Sequence, residues 1–496
     1  MSRSAPIVPP LRVQAQNPRA VRASGDYVLY WMIANRRTGW NFALDRCVQL
    51  AHELGKPLLV LEALRVGYRW NSDRLHRFVL DGIRANRDAC AAHGVAYYPY
   101  VEAEEGQGAG LLEALSQRAA VVVTDDFPCF FLPRMVASAA ARLPVLLEAV
   151  DANGLLPMRA ADAPYPTAYA FRRFLQKQLK PHLAESPLES PLEVAASIGG
   201  PVEIALGIEK RWPRASAQIL EGDVRLLARL PIDHSVPVAP KSGGSIAAAR
   251  ALREFVRHKL PRYAEDRSDV SEDLASGFSP WLHFGHLSTH QILDSIAALE
   301  GWTPVRIAAT TSGKKDGWWN MSPSAEAFLD ELVTWRELGF NFTSKRDDYE
   351  SYESLPPWAR QTLNDHAQDP RAHVYALEEF ERAETHDELW NCAQRQLVRE
   401  GRIHNYMRML WGKKILEWTR NPRAALEVMI ELNNRWALDG RNPNSYSGIF
   451  WTLGRYDRPW GPVRKVFGTI RYMSSDNTAR KMDVKPYLKK YAKEPG

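Results

Sequence analysis

Along the first 150 residues, short apolar runs recur with helical patterns between them. VLYWMI (Val28–Ile33), PLLVLEAL (Pro57–Leu64), VAYYPY (Val95–Tyr100), AVVVTDD (Ala120–Asp126) and PVLLEAVD (Pro144–Asp151) are continuous rather than alternating, the pattern of strands buried on both faces. The clearest intervening helix starts at Ser72 as N-cap and stops at Gly94, which suits a left-handed position just past a helix end. Strands alternating with helices over short connections predict a doubly wound parallel sheet, and such sheets take ligands at the carboxyl ends of their strands. From about Ile246 the strand signal fades. Helical patterns follow one another over Ala247–His258, Ser288–Glu300, Ser324–Leu338, His386–Arg399, Ile403–Trp418 and Arg423–Asn433, predicting an all-helical second domain. Between the two lies a weakly patterned, proline-rich stretch ending in KSGGS, read as a long linker wrapped over the surface. The segments Thr310–Ser324 and LDGRNPNSYSG (Leu438–Gly448) read as loops. The expected organisation is an α/β domain over 25–185, a linker over 186–245 and a helical domain over 246–491.

Composition narrows the function classes. A chain of 496 residues with 45% hydrophobic and 25% charged positions can bury a large core in two domains and is not disordered. It contains no run of 18 apolar residues, so no membrane span is expected. The opening MSRSAPIVPPLRVQAQ lacks the apolar stretch of a leader. Cys47, Cys90, Cys129 and Cys392 lie far apart with no C-x-x-C, which argues against a zinc ribbon, an iron–sulfur site or a disulfide framework and for a reducing, cytoplasmic setting. No metal site is expected. The net charge of +6 is compatible with nucleic acid without requiring it. No dinucleotide fingerprint follows the first strand, and EGQGAG near Gly106 has the wrong spacing for a phosphate loop. The unusual feature is tryptophan: 12 of the 16 fall at or after Trp281.

Several of these residues have two readings. Trp411 and Trp418 lie seven apart on one helical stretch, close to two turns, and Trp390 sits on the segment before it. Indoles at helical spacing are ordinarily core; they would also make a path along which an electron could hop to a buried cofactor. Glu331 and Trp335, four apart, share a helix face. They read as a salt-bridged helix surface or as an acceptor and a stacking plane for a nucleobase. Arg408 is an exposed charge or a cation beside an anionic flavin, held by a carboxylate such as Asp457. Asn433 and Asn434 are helix-end residues in the plain reading. Ser276 and Ser279, in SGFSPWLHFGHLS, are an ordinary helix start or a cradle for a diphosphate.

Together, FSPWLHFG, FLDELVTWREL, THDELWNCAQ, IHNYMRMLWGKKILEWT and LNNRWALDGRNPNSYSGIFW resemble the DNA photolyase/cryptochrome family, and within it the class II cyclobutane-pyrimidine-dimer photolyases. The resemblance runs from Val28 to Tyr491. It implies an antenna domain followed by a helical domain that binds FAD, with an electron passing from the light-excited reduced flavin to a pyrimidine dimer flipped out of single- or double-stranded DNA. By position it implies that Tyr263, Ser276, Phe278 and Ser279 contact the FAD phosphates and ribose. Arg408, paired to Asp457, would sit beside the isoalloxazine, Asn433 would face the flavin nitrogen that takes a proton, and Asp439 would lie near the polar edge of the flavin or the adenine. Trp411, Trp390 and Trp418 would carry electrons inward. Glu331 would hydrogen-bond the dimer, with Trp335 and Trp451 wedged against it. A second, antenna chromophore, a deazaflavin or a folate, is an open expectation, and a monomer is the default.

The sequence departs from the family pattern at Ser268, Phe340, Trp436, Asn442 and Ser445, is one residue short around Tyr456, and carries an insertion over 301–324. These departures leave open a cryptochrome-like blue-light photoreceptor without repair activity. The presence of Glu331, Trp335 and Trp451 favours repair. Repair of 6–4 photoproducts is disfavoured, because no histidine stands among the lesion-facing positions; His404 is the nearest.

Overall fold

A computed structural model describes residues 6–493 of the chain. By packing, these fall into two compact units. One comprises the described residues of Met1–Ala161 with Gln178–Glu254 and Phe278–Val305; the other comprises Asp162–Lys177, Phe255–Gly277 and the described residues of Arg306–Gly496.

The first unit is built on a six-stranded sheet of β1 (Val13–Ala15), β2 (Tyr27–Met32), β3 (Leu58–Leu64), β4 (Ala96–Val101), β5 (Ala119–Asp125) and β6 (Leu147–Val150), in the order β1-β6-β5-β2-β3-β4. β2 to β6 are parallel, as the continuous apolar runs predict. β1 adds an antiparallel edge, Val13 facing Val150; three residues are too few to show a pattern in sequence. The helices α1 (Phe42–Leu54), α2 (Asp73–Ala92), α3 (Leu111–Ser116) and α4 (Leu132–Arg142) connect the strands. Val28, Tyr30, Val60, Val121 and Val123 pack with Phe42, Val48 and Leu80 in the core. Ser72 takes the N-cap position of α2, and Gly94 follows it at φ 66°, a conformation that suits glycine. The proline-rich stretch carries short helices, Pro191–Ala195, Leu206–Arg211, Ala217–Glu221 and Val224–Leu227, and packs as part of this unit.

At the carboxyl end of β5 the Asp125 carboxylate accepts from the backbone N–H groups of Ile33, Ala34 and Asn35 at 2.8, 2.7 and 3.0 Å and from the Tyr30 hydroxyl at 2.7 Å. Successive N–H groups of this kind hold phosphates in nucleotide-binding folds. Here the chain supplies its own anion, the physical counterpart of the missing glycine fingerprint.

The second unit is helical. Its principal helices are α5 (Arg336–Lys345), α6 (Glu388–Glu400), α7 (Asn405–Trp418), α8 (Pro422–Trp436) and α9 (Pro443–Thr452). α7 packs against α6, α8 and α9 and is buried on several faces, so that even Lys413 and Lys414 are covered. Two glycines let helices meet. A Cβ on Gly412 would lie 2.6 Å from Thr452 Cγ2, and one on Gly339 would lie 2.7 Å from Ser447 Oγ.

Two expectations need correction. The single helix expected over Ser324–Leu338 is interrupted: Pro323–Leu329 is α-helical, Asp330–Trp335 is a π-helical turn, and α5 follows. The loop expected over Leu438–Gly448 ends at Asn442, where α9 begins. The Asn442 side chain accepts from the N–H groups of Asn444 and Ser445, and Pro443 fills the first turn, so the residues that signalled a loop are the start of a helix. Among the described residues no helix is long and apolar enough to cross a membrane, and no cluster of metal-ligating side chains is present. The four cysteines are buried and free.

Candidate active site

The three candidate wire tryptophans are brought together by α6 and α7. Asp387 caps α6 by accepting from the Trp390 N–H at 3.0 Å. Trp390, fully buried, donates its indole N–H to the Trp411 backbone carbonyl at 3.0 Å, and its ring lies 6.0 Å from that of Trp418. The Trp411 indole donates to Gln394 Oε1 at 2.9 Å. Outward, the Trp418 ring meets His386 at 4.9 Å and Tyr375 at 5.9 Å. Buried indoles with partnered N–H groups, as at Trp390 and Trp411, can still serve purely as core; what distinguishes this set is that Trp390 is bonded to the α7 backbone at Trp411 and its ring meets that of Trp418, whose neighbours His386 and Tyr375 lie nearer the surface.

On α7, Arg408 points to Asp439, with Nη2 3.4 Å from Oδ2. The expected partner, Asp457, is engaged elsewhere. It accepts from Arg471 at 3.0 and 3.2 Å and from the Trp460 indole at 3.0 Å. Burial alone would raise its carboxyl, but Arg471, Trp460 and the Arg458 backbone N–H together hold it below the usual range. The expected pairing of Arg408 with Asp457 is therefore corrected to Asp439, because Arg471 folds back to occupy Asp457.

Asp439 is buried, and its Oδ1 has no hydrogen-bond partner among the described residues. An acceptor left so is costly unless something supplies a donor. Nearby in the chain, Asn433 is buried at the end of α8, its amide donating to Asn434 Oδ1 at 3.2 Å and to Ser445 Oγ at 2.5 Å. A guanidinium, an under-used carboxylate and an amide are a donor and acceptor set that fits the polar edge of a flavin ring. Tyr263 and Ser276 lie in the same unit, Tyr263 buried and Ser276 partly exposed. Phe278 and Ser279 open the first unit's last segment, Phe278 buried and Ser279 partly exposed at the start of the short helix Ser279–His283.

Glu331 stands on the π-helical turn, a local irregularity common at functional sites. Arg172 fixes that turn through a two-point ion pair with Asp330 at 2.6 and 2.9 Å. Glu331 itself meets Arg267 at 2.8 Å, both side chains 34% exposed. Burial pushes the Glu331 carboxyl up and Arg267 pulls it back, leaving it raised. The Arg267 guanidinium also lies 5.7 Å from the Tyr263 ring, whose hydroxyl is pushed up to about 12 chiefly by burial. Arg267 thus joins two sequence candidates while being one that sequence reading missed. Its only sequence signal was its place beside Ser268 in a stretch already marked by Tyr263. Trp335 closes the π turn, half-buried.

Trp451, near the end of α9, is also half-buried, with Lys413 Nζ 5.1 Å and the Arg471 guanidinium 5.4 Å from its ring centre. Arg471 lies 4.0 Å from the Trp460 ring as well. A cavity of about 450 Å³ opens here, lined by Tyr406, Met409, Trp451, Trp460, Arg471 and Tyr472 among others. Aromatic planes interleaved with cations suit nucleic acid. Four of the departures from the family pattern are structurally absorbed. Ser445 bonds Asn433, Asn442 caps α9, Trp436 donates to Glu381 at 2.8 Å, and Phe340 lies beneath the Arg336 guanidinium at 4.5 Å. In the inserted segment Trp318 and Trp319 are buried edge to face at 4.9 Å, while Lys314 and Lys315 are exposed.

No protein-family model matches the chain. Individual proteins do. It is 33% identical over 478 residues to deoxyribodipyrimidine photo-lyase of Methanothermobacter thermautotrophicus, covering 96% of this chain and 97% of that one. It is 34% identical to the protein of the same name from Oryza sativa subsp. japonica over 96% and 89% of the two chains, and 30% identical to that of Potorous tridactylus over 98% and 86%. A crystal structure of a bacterial class III photolyase from Agrobacterium tumefaciens superposes with a TM-score of 0.66 at 16% identity, covering 94% of this chain and 86% of that one, which establishes a shared fold. Identity at this level along almost the whole of both chains means that this chain belongs to the DNA photolyase family.

Proposed function

We propose that the protein is a light-driven lyase of the class II type that splits cyclobutane pyrimidine dimers in DNA. The observation that carries this reading is the packed path of Trp411, Trp390 and Trp418 in the same helical unit as the Arg408–Asp439 pair, whose carboxylate keeps an acceptor open. FAD is the group these residues suit. When bound and reduced, it supplies on light absorption the electron that opens the cyclobutane ring and takes the electron back.

The chain's own residues do the rest. Arg408 places positive charge beside the flavin ring and favours its anionic form, and Asp439 keeps Arg408 oriented. Asn433 presents an amide fixed by Ser445. Tyr263 and Ser276 would hold the ribose and diphosphate. The three indoles relay electrons inward, Trp411 last. Glu331, whose carboxyl is raised by burial, hydrogen-bonds the dimer. Trp335 and Trp451 bracket the flipped dimer and exclude water from it. Asp457 acts on the lesion side by fixing Arg471. The protein works as a cytoplasmic monomer. An antenna pigment, a deazaflavin or a folate, is the finer part of this proposal and would show directly in the visible spectrum of the purified protein.

The test is illumination of FAD-loaded, reduced protein with dimer-containing oligo(dT). Recovery of the thymine ultraviolet absorbance supports the lyase. Bound reduced flavin without recovery would favour a photoreceptor that keeps the wire and lacks repair.

A further inference from the structure

Lys413 is fully buried at the centre of the second unit, and nothing in the proposed chemistry uses it. An ammonium group taken out of water is costly, and an apolar side chain of the same length would fill the space more cheaply. What the lysine touches is specific. Its Nζ donates to the Thr452 carbonyl at 2.6 Å and lies over the Trp451 ring, 5.1 Å from its centre. Thr452 ends α9, where backbone carbonyls lack helical partners. One cation therefore satisfies the end of α9 and faces the π surface of the residue just before it. The contact is made possible by Gly412, the neighbouring position, which lets α7 approach Thr452. On its other flank Trp451 meets Arg471, which Asp457 holds by two hydrogen bonds. The indole is gripped by a buried cation and by one at the rim of the 450 Å³ cavity.

We propose that Lys413 is a positioning residue for Trp451: its buried ammonium ties the end of α9 and the indole face to α7, setting the wedge in one orientation before DNA arrives. This rests on the reading of Trp451 as lesion-facing. It assigns to α7 a second task, on a different side from Arg408 and Trp411. The grip depends on charge. Burial lowers the Lys413 ammonium from 10.5 to about 7, Asp457 working against the shift and Arg471 with it. From α9 its neighbours are Trp451 and Thr452. Asp457 is held below the usual carboxylate range and keeps its charge near 7. Lys413 is therefore the group in this cluster that titrates there.

The test is a double-mutant cycle on FAD-loaded protein, comparing wild type, Lys413→Met, Trp451→Ala and the double variant, with KM and kcat for dimer-containing oligo(dT) under saturating light. Loss of a desolvated cation over an indole is expected to raise KM about three- to tenfold in Lys413→Met, with kcat and flavin photoreduction unchanged and no further rise in the Trp451→Ala background. The inference is overturned if Trp451→Ala raises KM and Lys413→Met does not, or if Lys413→Met raises KM equally in both backgrounds. If Trp451→Ala leaves KM unchanged, it is the lesion-facing reading of Trp451 that fails. Should Lys413→Met not fold, the wild-type pH profile decides. KM rises as pH passes upward through 7 and stays flat in Trp451→Ala; a flat wild-type profile overturns the proposal.

Discussion

Glu331 and Arg267 neutralise one another across 2.8 Å, while burial raises the Glu331 carboxyl above its ordinary value, a direction that favours its neutral form. A neutral acid donates a hydrogen bond and a carboxylate cannot. Glu331→Gln, which carries a permanent donor, is expected to keep most of the dimer turnover. Glu331→Ala should lose about ten- to a hundredfold, the worth of a hydrogen bond to a buried polar group, with flavin content unchanged. Steady-state photorepair with flavin quantified by absorbance checks both. Equal losses in the two variants would mean that the negative charge, and not the donor, matters. At this scale the sequence was informative about identity and poor about pairing. Arg408, Asp439 and Asp457 all stood out, but which carboxylate meets the arginine is decided by Arg471, a residue 63 positions away in the chain.

At the scale of elements, α6 and α7 form a conduit because Trp390 of α6 is bonded to the α7 backbone and its ring meets that of Trp418 of α7, while Trp411 of α7 is bonded to Gln394 of α6. Trp411→Phe is expected to abolish flavin photoreduction while repair by chemically reduced protein stays near wild type; transient absorption and the repair assay separate the two. Unchanged photoreduction would remove Trp411 from the path. Helix contact is equally specific at Gly412. In an open helix, glycine to alanine stabilises by about 1 kcal/mol. Here the added Cβ would sit 2.6 Å from Thr452 Cγ2, so Gly412→Ala is expected to destabilise by about 1–3 kcal/mol, read as a lower urea midpoint. The elements legible in sequence were those with a simple period, namely β2 to β6, α2, α6 and α7. Those that escaped have none: β1 is held only by its pairing with β6, the π turn at Asp330–Trp335 interrupts an otherwise regular pattern, and α9 starts on the Asn and Pro residues that also build loops.

For the molecule as a whole, the net charge of +6 and the cationic, aromatic cavity beside Trp451 predict that DNA binding releases counterions. Affinity for dimer-containing duplex should fall at least about tenfold between about 50 and 200 mM salt, linearly in logarithmic form. Fluorescence anisotropy measures it, and an affinity independent of salt would contradict a phosphate-bound complex. The central claim is that light absorbed by a flavin in the helical unit drives the bond cleavage. Its most direct test is the wavelength dependence of dimer repair by the FAD-loaded, reduced protein, with a dark control. The account predicts a repair rate that follows the absorption of the bound reduced flavin, together with any antenna band, and no repair in the dark. Repair that proceeds equally without light, or none at any wavelength despite full flavin occupancy, would contradict it.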